Sequence, residues 1–352
     1  MRVMFDAFWW ADGPIANRTV QRELILAWSR MFPHDRLTLA LRKSASSEDV
    51  PREFDVVYTS LWPHALANRL QLTQLARSAR ADVTIAHNYT PRKSASAVFI
   101  HDAMFVDHPE WFSRAERLYF APMLPWARRA KVIATSTHTE ASRIHTRGSK
   151  LAKPVATGLG VPPALTNTEP QRPVALGDVA EFAMTVGRLN VRKNLELILA
   201  SAALAKRVDP SNPLVVVGGT EHSGVASEFS PDIRRSINEG RIVLLGGLSD
   251  AELSWLYAHT SLAVTLSLDE GFGLPAIEAA AFDAPLVASD IPVFRETVGN
   301  YAVFVRPDAP PEIIAAAFDE TWGSVVDGSA VRSRYTWDAA VQLLRAAIIA
   351  ES

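Results

Sequence analysis

The feature that most limits how this chain can fold is an alternation. Short apolar runs of strand length recur at Arg2–Phe8, Asp55–Ser60, Val83–His87, Val98–His101 and Val132–Thr135. Helical stripes lie between several of them, as in Ile15–Phe32, where Val20, Leu24 and Trp28 share one face. Prolines then cluster at 154, 162, 163, 170 and 173, and the alternation restarts. Strands are expected at Phe182–Val186, Leu214–Val217, Ile242–Leu245, Leu262–Ser267 and Leu286–Ala288, with helices at Asn194–Lys206 and Ser249–His259. Strand and helix in alternation predict an α/β fold with mainly parallel sheets covered on both faces. The proline-rich stretch reads as a linker, and 352 residues suit about two domains. Two such domains would face each other across a cleft lined by the carboxyl ends of their strands, where open parallel sheets bind ligands.

Composition narrows the function. With 36 Lys+Arg against 38 Asp+Glu the net charge is −2, so the chain as a whole is no nucleic-acid polycation, and no nucleic-acid partner is expected. The absence of cysteine excludes disulfides, thiol catalysis and cysteine-ligated zinc. Asp6 and Asp12 interrupt the first apolar run, and no run of about 18 apolar residues follows, so a soluble cytoplasmic protein is expected.

Four segments carry residues suited to chemistry. In LAVTLSLDEGFGLPAIEAA, 262–280, a strand runs into a glycine loop and a helix opens near Pro275. Glycines at a helix amino terminus admit an anion to free amides. The flanking Glu270 and Glu278 would repel a bare phosphate but suit sugar hydroxyls, since a carboxylate takes both protons of a vicinal diol. A turn acid and a capping acid would read the same. In GRLNVRKN, 187–194, Arg188 and Lys193 leave a strand end and could neutralise a diphosphate, or simply be solvated loop cations. His101-Asp102 follows another strand, where the imidazole could donate to a sugar hydroxyl or an oxyanion with Asp102 orienting it; a satisfied structural histidine is the plainer reading. Gly13 follows the first strand and permits close backbone approach to a ligand, although a tight turn with Pro14 explains it equally. A further segment, 112–131, interleaves Arg114, Arg117, Arg128, Arg129 and Lys131 with Leu118, Tyr119, Phe120, Met123, Leu124 and Trp126. That mixture suits an anionic membrane surface, and equally a core helix with surface arginines.

Taken together, EGFGLPAIE at 270–278 with PLVASD at 285–290, GRLNVRKN at 187–194 and HDAMFVDHPEWF at 101–112 resemble retaining glycosyltransferases of the GT-B fold, specifically glycosyltransferase family 4. The resemblance implies two Rossmann-like domains: an acceptor-binding domain at 1–165, joined by a returning carboxyl-terminal helix at 337–352, and a nucleotide-sugar domain at 166–336. It implies that Glu270 contacts donor-sugar hydroxyls, Glu278 the ribose, and Arg188 and Lys193 the diphosphate, assisted by amides at Phe272, Gly273 and Leu274. His101 would hydrogen-bond the sugar and Gly13 would sit against the donor phosphate. No metal and no other cofactor is implied. The implied partners are a nucleotide sugar, with GDP-mannose first, and a glycan or lipid-linked acceptor of surface polysaccharide or glycoconjugate synthesis. Peripheral membrane contact would run through 112–131. Base selection is expected near Val217–Thr220 and Leu244–Leu248. Asp283 stands where relatives often have glycine, so a left-handed backbone is expected to be tolerated there at some cost. The alternatives are a nucleotide-sugar epimerase on the same scaffold and a non-catalytic bilobed nucleotide-sugar binding protein.

Overall fold

The structure is a computed structural model that describes residues 1–93, 96–148, 150–187, 191–218 and 230–351. The chain divides into two compact units, Met1–Gly160 with Tyr335–Ser352, and Val161–Arg334.

The first unit holds a seven-stranded sheet: β1 Arg2–Asp6, β2 Arg36–Arg42, β3 Asp55–Thr59, β4 Val83–His87, β5 Ser96–Phe99, β6 Val132–Thr135 and β7 Val155–Ala156. Its order is β3-β2-β1-β4-β5-β6-β7, and every pairing is parallel. The second unit holds six strands: β8 Ala183–Val186, β9 Leu214–Val217, β10 Ile242–Leu245, β11 Leu262–Thr265, β12 Leu286–Ser289 and β13 Val303–Val305. Their order, β10-β9-β8-β11-β12-β13, is again wholly parallel. Both sheets therefore reverse direction of winding beside their first strand, between β1 and β4 and between β8 and β11. Such switch points leave a crevice at the strands' carboxyl ends. The central strands β4 and β11 are buried along their whole length, as helices on both faces require.

Several limits differ from the sequence expectation for local reasons. The first strand stops at Asp6, not Phe8, because the Asp6 carboxylate accepts the Phe8 amide at 3.1 Å and turns the chain. The helix expected from Asn194 begins at Leu195, since Asn194 adopts a left-handed conformation, φ 53°, and holds the Pro307 carbonyl. Strand β2 was not anticipated, because Arg36, Thr38 and Arg42 dilute its apolar run; β7 and β13 are too short to announce themselves.

The helix Trp337–Ala350 packs on the helix Ile15–Met31 inside the first unit. Arg345 Nε donates to Asp35 at 3.1 Å, and Arg30 pairs with Asp338. The unit ends at Gly160 rather than at 165, because a Cβ on Gly160 would lie 2.7 Å from Trp337, and Tyr335 lies against Gly158. The helix Pro163–Thr166 instead packs on the helix Asp250–His259 of the second unit.

Candidate active site

In the second unit the loops after β8 and β11 are tied together, with the Leu268 amide on the Arg192 carbonyl at 2.8 Å. This brings Lys193 to Glu270, Nζ to Oε1, at 2.6 Å. Ser267 donates to the same oxygen at 2.8 Å. Glu270 is buried, which by itself would raise its pKa. The charges of Lys193 and Arg192 and the two hydrogen bonds outweigh that and hold the carboxyl below its ordinary value. Oε2 has no partner among the described residues and is left for another donor.

Glu278 lies on the helix Leu274–Ala281 and is equally buried. Tyr257 donates to its Oε2 at 2.8 Å. Here burial prevails: it lifts the carboxyl to about 6, against the smaller lowering effects of the tyrosine and Lys193. The phenol is pushed up in turn, by burial and by the neighbouring carboxylate.

Gly273 caps that helix at φ 83° and offers no side chain to its first turn. A Cβ there would lie 2.4 Å from the Phe294 ring, so glycine is required both by the backbone and by packing. Phe272 is buried and Leu274 half-buried on either side. A water-sized cavity of about 10 Å³ beside Lys193 is lined by Thr185, Gly187, Thr265 and Ser267. Lys193, Glu270, Phe272, Gly273, Leu274 and Glu278 thus lie on adjoining loops and one helix of this unit. Arg188 lies outside the described residues, as do 219 and 220 of the segment expected to read the base. Asp283 is left-handed, φ 54°, and its carboxylate offsets that cost by accepting Gly328 N at 2.7 Å and Arg332 Nη1 at 2.6 Å.

In the first unit His101 follows β5. Its Nε2 is shut from solvent with no partner among the described residues. Burial, then the neighbouring His87 and His64, lower its pKa to about 3, so the ring is neutral at physiological pH. Asp102 accepts the Met104 amide at 3.2 Å and so opens the short helix that follows. Gly13 has φ 110°, and the Trp9 ring occupies the place a Cβ would need. A packing reason for glycine therefore stands beside the expected ligand contact.

Sequence reasoning missed the group behind His101. Asp6, at the end of β1, accepts His64 Nε2 at 2.8 Å, Asn68 Nδ2 at 2.7 Å and the His87 amide at 3.1 Å. Burial opposes its charge, but His64, His87 and Asn68 lower the pKa to about 2. His87 lies with its ring 5.7 Å from that of His101 and is lowered to about 4, chiefly by burial. The only signal for this group was an aspartate ending an apolar run. Tyr257 and Ser267 gave none. Among the described residues no group of three or more His, Asp or Glu side chains is placed to hold a metal ion.

The segment 112–131 divides its residues. Met123, Leu124 and Ala127 enter the core, Tyr119, Phe120 and Trp126 pack partly against it, and Leu118 stays 78% exposed among the arginines. Among the described residues no helix is long and apolar enough to cross a membrane.

The two parallel Rossmann-like sheets are the GT-B fold. The structure matches sucrose-phosphate synthase from Thermosynechococcus elongatus with TM-score 0.71 at 17% identity, covering 99% of this chain and 100% of that one. It matches WaaG, a glycosyltransferase involved in lipopolysaccharide biosynthesis, with TM-score 0.69 at 15% identity over 99% of both chains.

More particularly, residues 168–321 match the family of glycosyl transferases group 1. The chain is similar to the O-antigen chain mannosyltransferase RfbU of Salmonella typhimurium, 25% identical over 64% of this chain and 61% of that protein. It is also similar to the GDP-mannose:cellobiosyl-diphosphopolyprenol alpha-mannosyltransferase of Komagataeibacter xylinus, 32% identical over 44% of this chain and 41% of that protein. These matches span less than two thirds of either relative.

Proposed function

We propose that the protein is a retaining, metal-independent glycosyltransferase of family 4. It takes a hexose, mannose from GDP-mannose, and passes it to a glycan or lipid-linked acceptor in the building of a surface polysaccharide or glycoconjugate. The observation that carries this reading is the pair of buried glutamates of the second unit, each with one oxygen engaged and the other open, beside Lys193 and an uncapped helix start. Breaking a sugar–phosphate bond leaves negative charge on the diphosphate. Lys193 and the first amides of the helix Leu274–Ala281 are suited to take it, with Arg188 as second cation. Glu270 accepts donor-sugar hydroxyls through its open oxygen, and Glu278 accepts the ribose diol. Neutral His101 hydrogen-bonds the sugar, and Gly13 borders the donor phosphate. The first unit binds the acceptor and the second the donor. The names of the two relatives support mannose, and one of those names contains GDP-mannose. The chain acts in the cytoplasm, and Leu118 with the surrounding arginines makes peripheral contact with an anionic membrane.

The test is a thermal-shift panel of nucleoside diphosphates and nucleotide sugars without added metal, followed by transfer assays. A ligand that binds only the folded state raises the melting temperature by mass action. Stabilisation by GDP and GDP-mannose is expected. No shift with any member at millimolar concentration refutes the donor reading, and a shift with a uridine nucleotide alone corrects the base.

A further inference from the structure

A second concavity lies in the first unit, at the carboxyl ends of β2 and β3, and none of its lining residues is given a role above. Its volume is about 390 Å³, within the range of roughly 300–1,000 Å³ usual for small-molecule sites. The walls are Arg42, Lys43, Ser44, Ser60 and Trp62, with no acid among the lining residues. Trp62 is 61% exposed, yet its ring is fixed: it stands edge-on to Trp9 at 5.9 Å and tilts against Phe8 at 5.7 Å. The Arg42 guanidinium lies over both the Phe8 and Trp62 rings, at 5.6 and 5.5 Å, and pairs with Asp12. Its Nε–H is buried without an acceptor. Lys43 is exposed and has no counter-charge among the described residues.

The frame is preorganised. Lys43 N donates to the Thr59 carbonyl at 2.8 Å, joining the two strand ends. Gln71 accepts the amides of Ser60 and Leu61 at 2.9 and 3.0 Å and donates to Ser60 Oγ at 2.8 Å, which leaves the Ser60 hydroxyl proton to face a ligand.

An exposed, braced indole with hydroxyls beside it suits a pyranose. The ring's electron-rich face attracts the partly positive C–H face of the sugar, while the hydroxyls meet its oxygens. Lys43, a rim cation without a counter-charge among the described residues, selects a negative substituent. We propose that this groove is an outer acceptor subsite for an acidic sugar. Trp62 carries the pyranose, and Lys43 takes its carboxylate or phosphate, with the Arg42–Asp12 pair bracing the indole beside it. The proposal rests on the glycosyltransferase reading for the word acceptor, but not for the binding itself. The groove also joins the first unit's central group by contact. Trp62 meets Phe8, and the Phe8 ring lies 4.8 Å from His64, the partner of Asp6.

The experiment is isothermal titration and saturation-transfer NMR on the full chain with methyl β-glucoside, methyl β-glucuronide, glucose 6-phosphate and GDP. Both acidic sugars, or the one whose charge the groove fits, should bind at least tenfold more tightly than the neutral glucoside. Trp62→Ala should lose at least tenfold in sugar binding and Trp62→Phe should recover most of it. Lys43→Ala should abolish the preference for the acidic sugar alone. GDP binding should be the same in all three variants, which separates this site from the donor site. Equal binding of neutral and acidic sugars, or acidic-sugar binding unchanged in a folded Trp62→Ala, overturns the proposal. Loss of GDP binding in Lys43→Ala also overturns it, by making the groove a nucleotide site. Absence of GDP binding in the parent refutes the donor reading and leaves the sugar-binding result to stand on its own.

Discussion

Asp6 and Glu270 are both buried carboxylates at the switch point of a parallel sheet, and the two units keep them ionised by different means. Asp6 has four hydrogen bonds, from His64, Asn68 and the amides of Phe8 and His87, and no lysine or arginine. Glu270 has two, from Lys193 and Ser267, one of them from a full cation. Four hydrogen bonds, with the electrostatic attraction of His64 foremost, make a fixed, saturated anchor, which suits a strand end that must hold its neighbours. One cation with an open carboxylate oxygen leaves a group that can still exchange partners, which suits a site that binds and releases. Glu278 is the third case: one phenol does not offset burial, so its proton is held to about 6.

The contrast breaks first at Lys193. Removing one partner of a buried pair strands the other charge, so Lys193→Ala should cost about 3 kcal/mol in urea unfolding and abolish transfer. Adding Glu270→Gln to it should restore at least half of the stability and none of the transfer. If Lys193→Ala unfolds at the parent denaturant concentration, Glu270 is anchored by its other partners and the contrast fails.

Asp6→Asn tests the saturated site. The folded pKa of Asp6 is depressed from 3.8 to about 2, so its contribution is present in full above the unfolded value and fades as pH falls through the folded one. The variant should lose about 2 kcal/mol at pH 7, and the gap should narrow below pH 4, as followed by pH-dependent denaturation. A gap that widens in acid contradicts the assignment.

Glu278 should behave with the opposite sign. Its folded pKa is raised from 4.5 to about 6, so ionisation costs stability as pH rises through that window. Glu278→Gln should melt higher than the parent at pH 7.5, by up to about 2 kcal/mol, and together with it at pH 4. In the parent, nucleotide binding should tighten as pH rises through about 6, where the diol-accepting carboxylate forms.

The smallest effect is a silence. His101 is lowered to about 3, so its imidazole protons should not shift in NMR between pH 8 and 5. A midpoint near 6.5 would mean that the ring reaches solvent and carries charge during function.

The sequence made the second unit's candidate site legible, because most of its residues stand in one continuous motif. Glu270, Phe272, Gly273, Leu274 and Glu278 fall on a single strand–loop–helix, while Lys193 and Tyr257 arrive from other segments. The group behind His101 in the first unit was invisible. Asp6, His64 and His87 come from three separate segments, and each looks ordinary in its own place. The strand β2 was lost for a related reason: its arginines and threonine are spaced like a surface, although the interior of the strand is buried.

Local order is what the sequence by itself determined. Apolar runs and helical stripes decide where strands and helices form, because backbone groups must be paired and one face must be covered. Proline and glycine mark where they stop. The tertiary structure decided what no stretch of chain contains. It set the strand order that puts β1 beside β4 and the bonds that keep Asp6 charged. It also gave one glutamate a cation and the other only a phenol. Protonation and openness depend on what lies across space within a few ångströms, and in a wound parallel sheet those neighbours are distant in sequence.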